Sequence, residues 1–228
     1  MNKNLVICPA GDNSTHQSWN VGEKNFDTAI LYYGNNESIQ SEYQKTSKFF
    51  LKSVGEKGAL VYNFILANYT ILMDYEFVWI VDDDIESNCH MVNKLFDINK
   101  LYDLWLSQPS ISGYTNYEIQ KRNEDKILRF TNFVEVICPC FSLKTLLFLF
   151  HTYAFNYSSW GLDYLWPKLL SYPMNRIAII DDVEVNHTRL ACSEYGNRFA
   201  EEPVKELEKL FMNFNLNFNQ KIYGSIFK

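Results

Sequence analysis

Apolar residues fall in short blocks separated by polar, turn-forming clusters. Leu5-Val6-Ile7-Cys8 runs straight into Pro9-Ala10-Gly11-Asp12-Asn13-Ser14, the composition of a buried strand ending in a loop. Residues 26–33 (FDTAILYY) predict a second strand, closed by Gly34-Asn35-Asn36. Between 58 and 72, Leu60, Val61, Phe64, Ile65 and Ala67 recur at helical spacing. Residues 76–81 (EFVWIV) are almost continuously apolar, as in a strand covered on both faces within a parallel sheet, and the run stops at Asp82-Asp83-Asp84. Strand, helix, strand in this order predicts βαβ units and an α/β fold.

Further along, the pattern predicts a helix over 97–107, an extended stretch over 110–117 and a charged turn over 121–126. A strand is expected over 130–137, a buried helix over 142–153, and a polar-aromatic loop over 158–163 entering a helix near 165–170. Ile177–Ile180 reads as a strand, interrupted by Asp181-Asp182 and followed by 183–187. Glu201-Glu202-Pro203 opens an amphipathic helix, with acids at its positive end and Pro in its first turn. No linker or repeat divides the 228 residues, which suits a single domain over 1–228.

Composition narrows the partners. A net charge of -6, with no basic block, argues against nucleic acid and anionic membrane, so an anionic substrate needs a metal or backbone N–H groups. Residues 1–10 are too short for a secretory leader, and 143–155 is too short to span a bilayer. The five cysteines are odd in number, and Cys138-Pro139-Cys140 is too tight for a zinc pair, which fits reduced thiols in a cytoplasmic protein. The abundant Tyr and Phe suit a sugar site, although most aromatics in any globular chain serve packing.

Candidate chemistry lies in three places. Three carboxylates closing a buried strand repel one another unless a cation sits among them. Asp82 and Asp84 are two apart, so an extended backbone points them the same way, and hard oxygens suit Mg²⁺ or Mn²⁺. The alternative is a solvated acidic turn. Asp163, in Trp160-Gly161-Leu162-Asp163, stands at the mouth of a helix, either as its N-cap or as a general base. His187 ends a strand, either as a structural imidazole or as a metal ligand; Asp181 and Asp182 read as turn or supporting residues.

Six segments in order, FDTAILYYG, EFVWIVDDDIE, LSQPSISGYTN, TNFVEVICPCFS, SSWGLDYLWP and IAIIDDVEVNHTR, resemble the GT-A glycosyltransferase superfamily. Within it they are most similar to a plant and bacterial family of nucleotide-diphospho-sugar transferases. The match covers about residues 1–190. It implies a Rossmann-like, mostly parallel sheet flanked by helices. A nucleotide- and metal-binding half falls at about 1–117, an acceptor half at about 118–190, and a C-terminal tail with a helix at 191–228 has no catalytic role. It further implies that Asp82, Asp84 and His187 hold Mn²⁺ or Mg²⁺, and that Pro9, Ala10, Gly11, Asp12 and Asp83 face a UDP- or GDP-sugar. Asp163 becomes the base of an inverting reaction, and Trp160 and Gly161 border a glycan or glycoconjugate acceptor. Two alternatives use similar acids: a metal-dependent phosphohydrolase or nucleotidyltransferase, and a non-catalytic carbohydrate- or nucleotide-binding module. The loop at 9–14 has one Gly and neither Lys nor Arg, unlike the basic, Gly-rich loop of a nucleotidyltransferase.

Overall fold

A computed structural model describes residues 2–190 and 201–228. Ten strands form one sheet: β1 (Asn4–Ala10), β2 (Phe26–Tyr32), β3 (Phe49–Lys52), β4 (Phe77–Ile80), β5 (Ile85–Glu86), β6 (Leu106–Gly113), β7 (Lys126–Thr131), β8 (Cys140–Ser142), β9 (Ile177–His187) and β10 (Ile222–Phe227). Their order is β10-β7-β9-β6-β8-β4-β1-β2-β3, with β5 pairing off this path against β9. The β4-β1-β2-β3 block and the β6-β9 pair are parallel, and β8 joins them antiparallel on both sides.

The alternation of strand side chains builds two cores. Val6, Cys8 and Ala10 of β1 join Trp79 and Val81 on one face, under α4 (Cys89–Leu101). Leu5 and Ile7 join Val78 and Ile80 on the other, against α2 (Lys57–Ala67), α5 (Leu143–Leu149) and α6 (Leu162–Leu169). Burial on both faces is why β1 and β4 read as unbroken apolar runs.

Several expected boundaries shift. α2 stops at Ala67, and a separate turn of helix follows at Tyr69–Leu72. The sequence reading missed a helix at Glu37–Thr46, which is capped by Asn36: its side chain accepts from the N–H groups of Ser38 and Ile39. The helix expected over 97–107 begins earlier, at Cys89, and yields to β6. The strand expected over 130–137 lies at 126–131, and the buried helix over 142–153 changes to a 3₁₀ turn at Phe150. Asp181-Asp182 does not interrupt the late strand: β9 is continuous and carries a bulge, its register against β6 jumping from Pro109↔Ile180 to Ser110↔Glu184.

The tail contributes a helix at Glu201–Phe214 and then β10, the sheet's edge strand on β7. Among the described residues no helix is long and apolar enough to cross a membrane. Cys8, Cys89, Cys138 and Cys140 are buried and free, and Cys192 lies outside the described residues.

Candidate active site

The carboxyl ends of β1 and β4 converge, and here the acid triplet meets the first loop. Pro9 and Ala10 belong to β1, so the loop starts only at Gly11. Asp83 is buried and braces this loop. Its Oδ2 accepts from Gly11 N at 2.7 Å and from the Tyr33 hydroxyl at 2.8 Å, and its Oδ1 accepts from Arg189 Nη2 at 2.9 Å. Its backbone carbonyl accepts from Thr15 N at 2.7 Å. Asp12 accepts from the Tyr32 hydroxyl and from the N–H groups of Asn35 and Asn36, tying the first loop to the end of β2.

The backbone turns at Asp83-Asp84 instead of staying extended, so Asp82 and Asp84 take different partners. Lys57, the first residue of α2, places its ammonium 2.5 Å from Asp82 Oδ1 and also donates to the Val136 carbonyl. Burial, against the pull of Lys57, pushes the Asp82 carboxyl up to about 6, and Asp84 adds to the rise.

Asp84 meets His187, 103 positions away, because β5 pairs with β9 in the register Ile85↔His187. His187 Nε2 stands 3.2 Å from Asp84 Oδ2, and its Nδ1 lies 2.6 Å from the Tyr114 carbonyl. A carbonyl only accepts, so Nδ1 carries the proton and Nε2 is left to face the carboxylate. Burial works against the imidazolium, but Asp84 outweighs it and the His187 pKa is raised. Asp84 Oδ1 is buried with no hydrogen-bond partner among the described residues. Gly113 makes this junction possible: its φ is +77°, and a Cβ there would meet the His187 carbonyl oxygen.

Beside His187 opens a cavity of about 440 Å³, walled by the 114–120 loop, the 135–137 segment, the start of α6 and the tail. Trp160, Gly161, Asp163 and Glu135 line it. Asp163 does not cap α6, because Gly161, at φ +88°, holds the N-cap position. Instead Asp163 lies in the first turn, 5% exposed, with Oδ1 lacking a partner among the described residues. Burial first and Glu135 second raise its pKa well above the carboxylate range, against the pull of the N–H groups of Gly161, Asp163 and Tyr164.

Glu135 was missed by the sequence reading, which placed it within a strand. Gln120 Nε2 donates to its Oε2, and its backbone N–H donates to Gln108 Oε1 at 2.7 Å. Leu207 and Phe218 of the tail also line the cavity, so the segment given no catalytic role forms part of its wall. Asp181 and Asp182 lie elsewhere: Asp181 pairs with Arg129, and Asp182 with Lys94 and Lys228.

Among the described residues no three His, Cys, Asp or Glu side chains form a group that could hold a metal ion. Lys57 lies against Asp82, and of the expected set Asp84 and His187 are in contact.

No protein-family model and no curated protein matches the chain. Solved structures do. S. aureus TarS 1-349 in complex with UDP-GlcNAc superposes with a TM-score of 0.59 at 11% identity, over 95% of this chain and 68% of that one. The same segment in complex with UDP gives 0.55 at 12%, over 94% and 67%. A longer S. aureus TarS chain gives 0.56 at 13%, over 94% of this chain and 40% of its own length. At such identity the likeness is one of fold, and the fold is the expected α/β GT-A arrangement.

Proposed function

We propose that the chain transfers a sugar from a nucleotide-diphosphate donor to an acceptor hydroxyl, by a single displacement that inverts the anomeric carbon. The observation that carries this reading is the contact of Asp84 with His187 at the wall of a cavity that also holds Asp163 and Glu135. The fold is shared with a protein crystallised with UDP-GlcNAc, which makes a UDP-sugar the first donor to test.

Asp84 and His187 fit Mg²⁺ or Mn²⁺ as a partial ligand set. Among the described residues Asp84 Oδ1 has no hydrogen-bond partner, and the Tyr114 carbonyl holds His187 Nδ1 so that Nε2 is turned to Asp84. Such a cation, when bound, would supply charge neutralisation for a diphosphate leaving group. Asp82, already against Lys57, supports this position from the side, and Asp83 keeps the end of β1 at Pro9 and Ala10 and the loop at Gly11 and Asp12 in place to face the nucleotide. Trp160 offers an aromatic face to the glycan acceptor, and Gly161 lets α6 begin at the cavity wall. The proton of the acceptor hydroxyl passes to the acids of the cavity.

Thermal denaturation with UDP, GDP and their sugars, with and without Mn²⁺, tests the reading. Stabilisation by a nucleotide that requires Mn²⁺, and is lost in Asp84→Ala, is the expected result. A protein indifferent to every nucleotide in the panel would refute it.

A further inference from the structure

We infer that Glu135, rather than Asp163, receives the proton of the attacking hydroxyl, while Asp163 remains a neutral acid that hydrogen-bonds to the acceptor. The inference rests on the transferase reading and refines its site.

Both side chains line one cavity, but they are held differently. Glu135 is held at two points, and one of its partners is itself anchored. Its N–H is bound to buried Gln108, its Oε2 receives Gln120, and Gln120 is in turn anchored by Thr115. The Lys57 ammonium binds the carbonyl of the next residue, Val136, so a positive charge stands beside Glu135. Gln120 takes Oε2 and not Oε1, and the Val136 N–H also favours the charged carboxylate. Asp163 sits deeper, in the first turn of α6, with Oδ1 buried and partnerless among the described residues.

Two carboxylates in one enclosed space do not both ionise readily, and the proton stays on the one with less compensation. Burial raises the Glu135 pKa and Asp82 adds to the rise, while Gln120, Lys57 and the Val136 N–H all favour its charge. Those bearing on Asp163 are Glu135, which opposes its charge, and the α6 N–H groups, which favour it. Tyr117 and Tyr164 stand close to both acids. A neutral Asp163 can donate a hydrogen bond to the acceptor but cannot accept its proton.

The step then balances. The hydroxyl O–H bond breaks and its proton goes to Glu135. The oxygen bonds to the anomeric carbon, and the bond from that carbon to the diphosphate breaks with its electron pair leaving on the nucleotide.

The test measures UDP or GDP release from the donor that stabilises the wild type, with Mn²⁺ and water as the acceptor. Glu135→Gln is expected to lose about 10²–10⁴-fold in turnover, while the nucleotide-dependent thermal shift persists. Glu135→Asp is expected to recover part of the loss, and Asp163→Asn to lose about tenfold or less. The acid limb of the pH–rate profile is expected to vanish in Glu135→Gln and to survive in Asp163→Asn. The opposite pattern, with Asp163→Asn the more damaging and Glu135→Gln near wild type, overturns the assignment. Loss of nucleotide binding and turnover in the wild type itself brings down the transferase reading and this inference together. That opposite pattern, with the nucleotide shift intact in both variants, marks failure of the inference alone.

Discussion

Two aspartates, both deep in the protein and close in sequence, have opposite surroundings. Asp181, in the bulge of β9, has every near neighbour it needs: Arg129 donates through Nε and Nη2 at 2.8 and 2.9 Å, and the Asn123 N–H adds a third bond at 2.8 Å. Arg129 spends a further donor on the Lys121 carbonyl. Asp163, at the start of α6, faces a cavity and another acid, with one oxygen unpaired among the described residues. Burial is common to both, so burial alone does not mark a reactive acid. What separates them is whether the protein has already supplied the compensating charge.

The sharpest way to break this contrast is to remove the compensation. Arg129→Met is expected to cost about 3–5 kcal/mol by urea denaturation, because it strands Asp181 without a counter-charge. Asp163→Asn is expected to act in the opposite direction and to stabilise the fold. Its carboxyl pKa is raised by burial and Glu135, so the folded state holds a proton that the unfolded chain releases above the ordinary value of 3.8. Wild-type stability therefore falls as pH rises through that range. The Asn variant lacks the penalty, and its advantage grows by at most about 1.4 kcal/mol per pH unit until the native carboxyl ionises. Melting curves from pH 4 to pH 8 that ran parallel for both proteins would remove Asp163 from the comparison.

Gly161→Ala probes the seat of Asp163 rather than its charge. The left-handed φ, and a Cβ that would press on Leu207 and Leu210, predict a loss of about 1–3 kcal/mol, read from chemical denaturation. The smallest effect belongs to the intermediate case, Asp82. Lys57→Met at pH 5 is expected to change stability by about 1 kcal/mol or less, because Asp82 is largely protonated below about 6 and the pair is partly exposed. A loss several times larger at that pH would place Asp82 with Asp181.

The sequence exposed the fold where local pattern and burial coincide. β1 and β4 are covered on both faces, so their apolar runs were plain, and Asp82-Asp83-Asp84 was legible as the end of one of them. β3 and β10 are short or exposed edge strands, whose patterns carry little burial signal, and neither was anticipated. At the site, the approach of His187 to Asp84 depends on the two-residue strand β5, too short to leave a pattern. Glu135 was hidden for another reason. It lies in an apolar stretch that reads as strand, and its lone charge there, flanked by Val134 and Val136, was the available clue. Lys57 stands just before the helical pattern expected over 58–72 and carries no signal of its own; only the packing of α2 brings it to Asp82.

The position of the tail fixes an order of events during synthesis. The strands under the first loop are complete by residue 142, whereas Asp84 and Asp83 gain His187 and Arg189 later, the cavity needs Leu207 and Phe218, and β7 gains its outer partner only with residues 222–227. A chain still threaded through the ribosome can thus assemble the sheet beneath its first loop while the cavity wall is missing. The cavity is walled only once residue 218 is available.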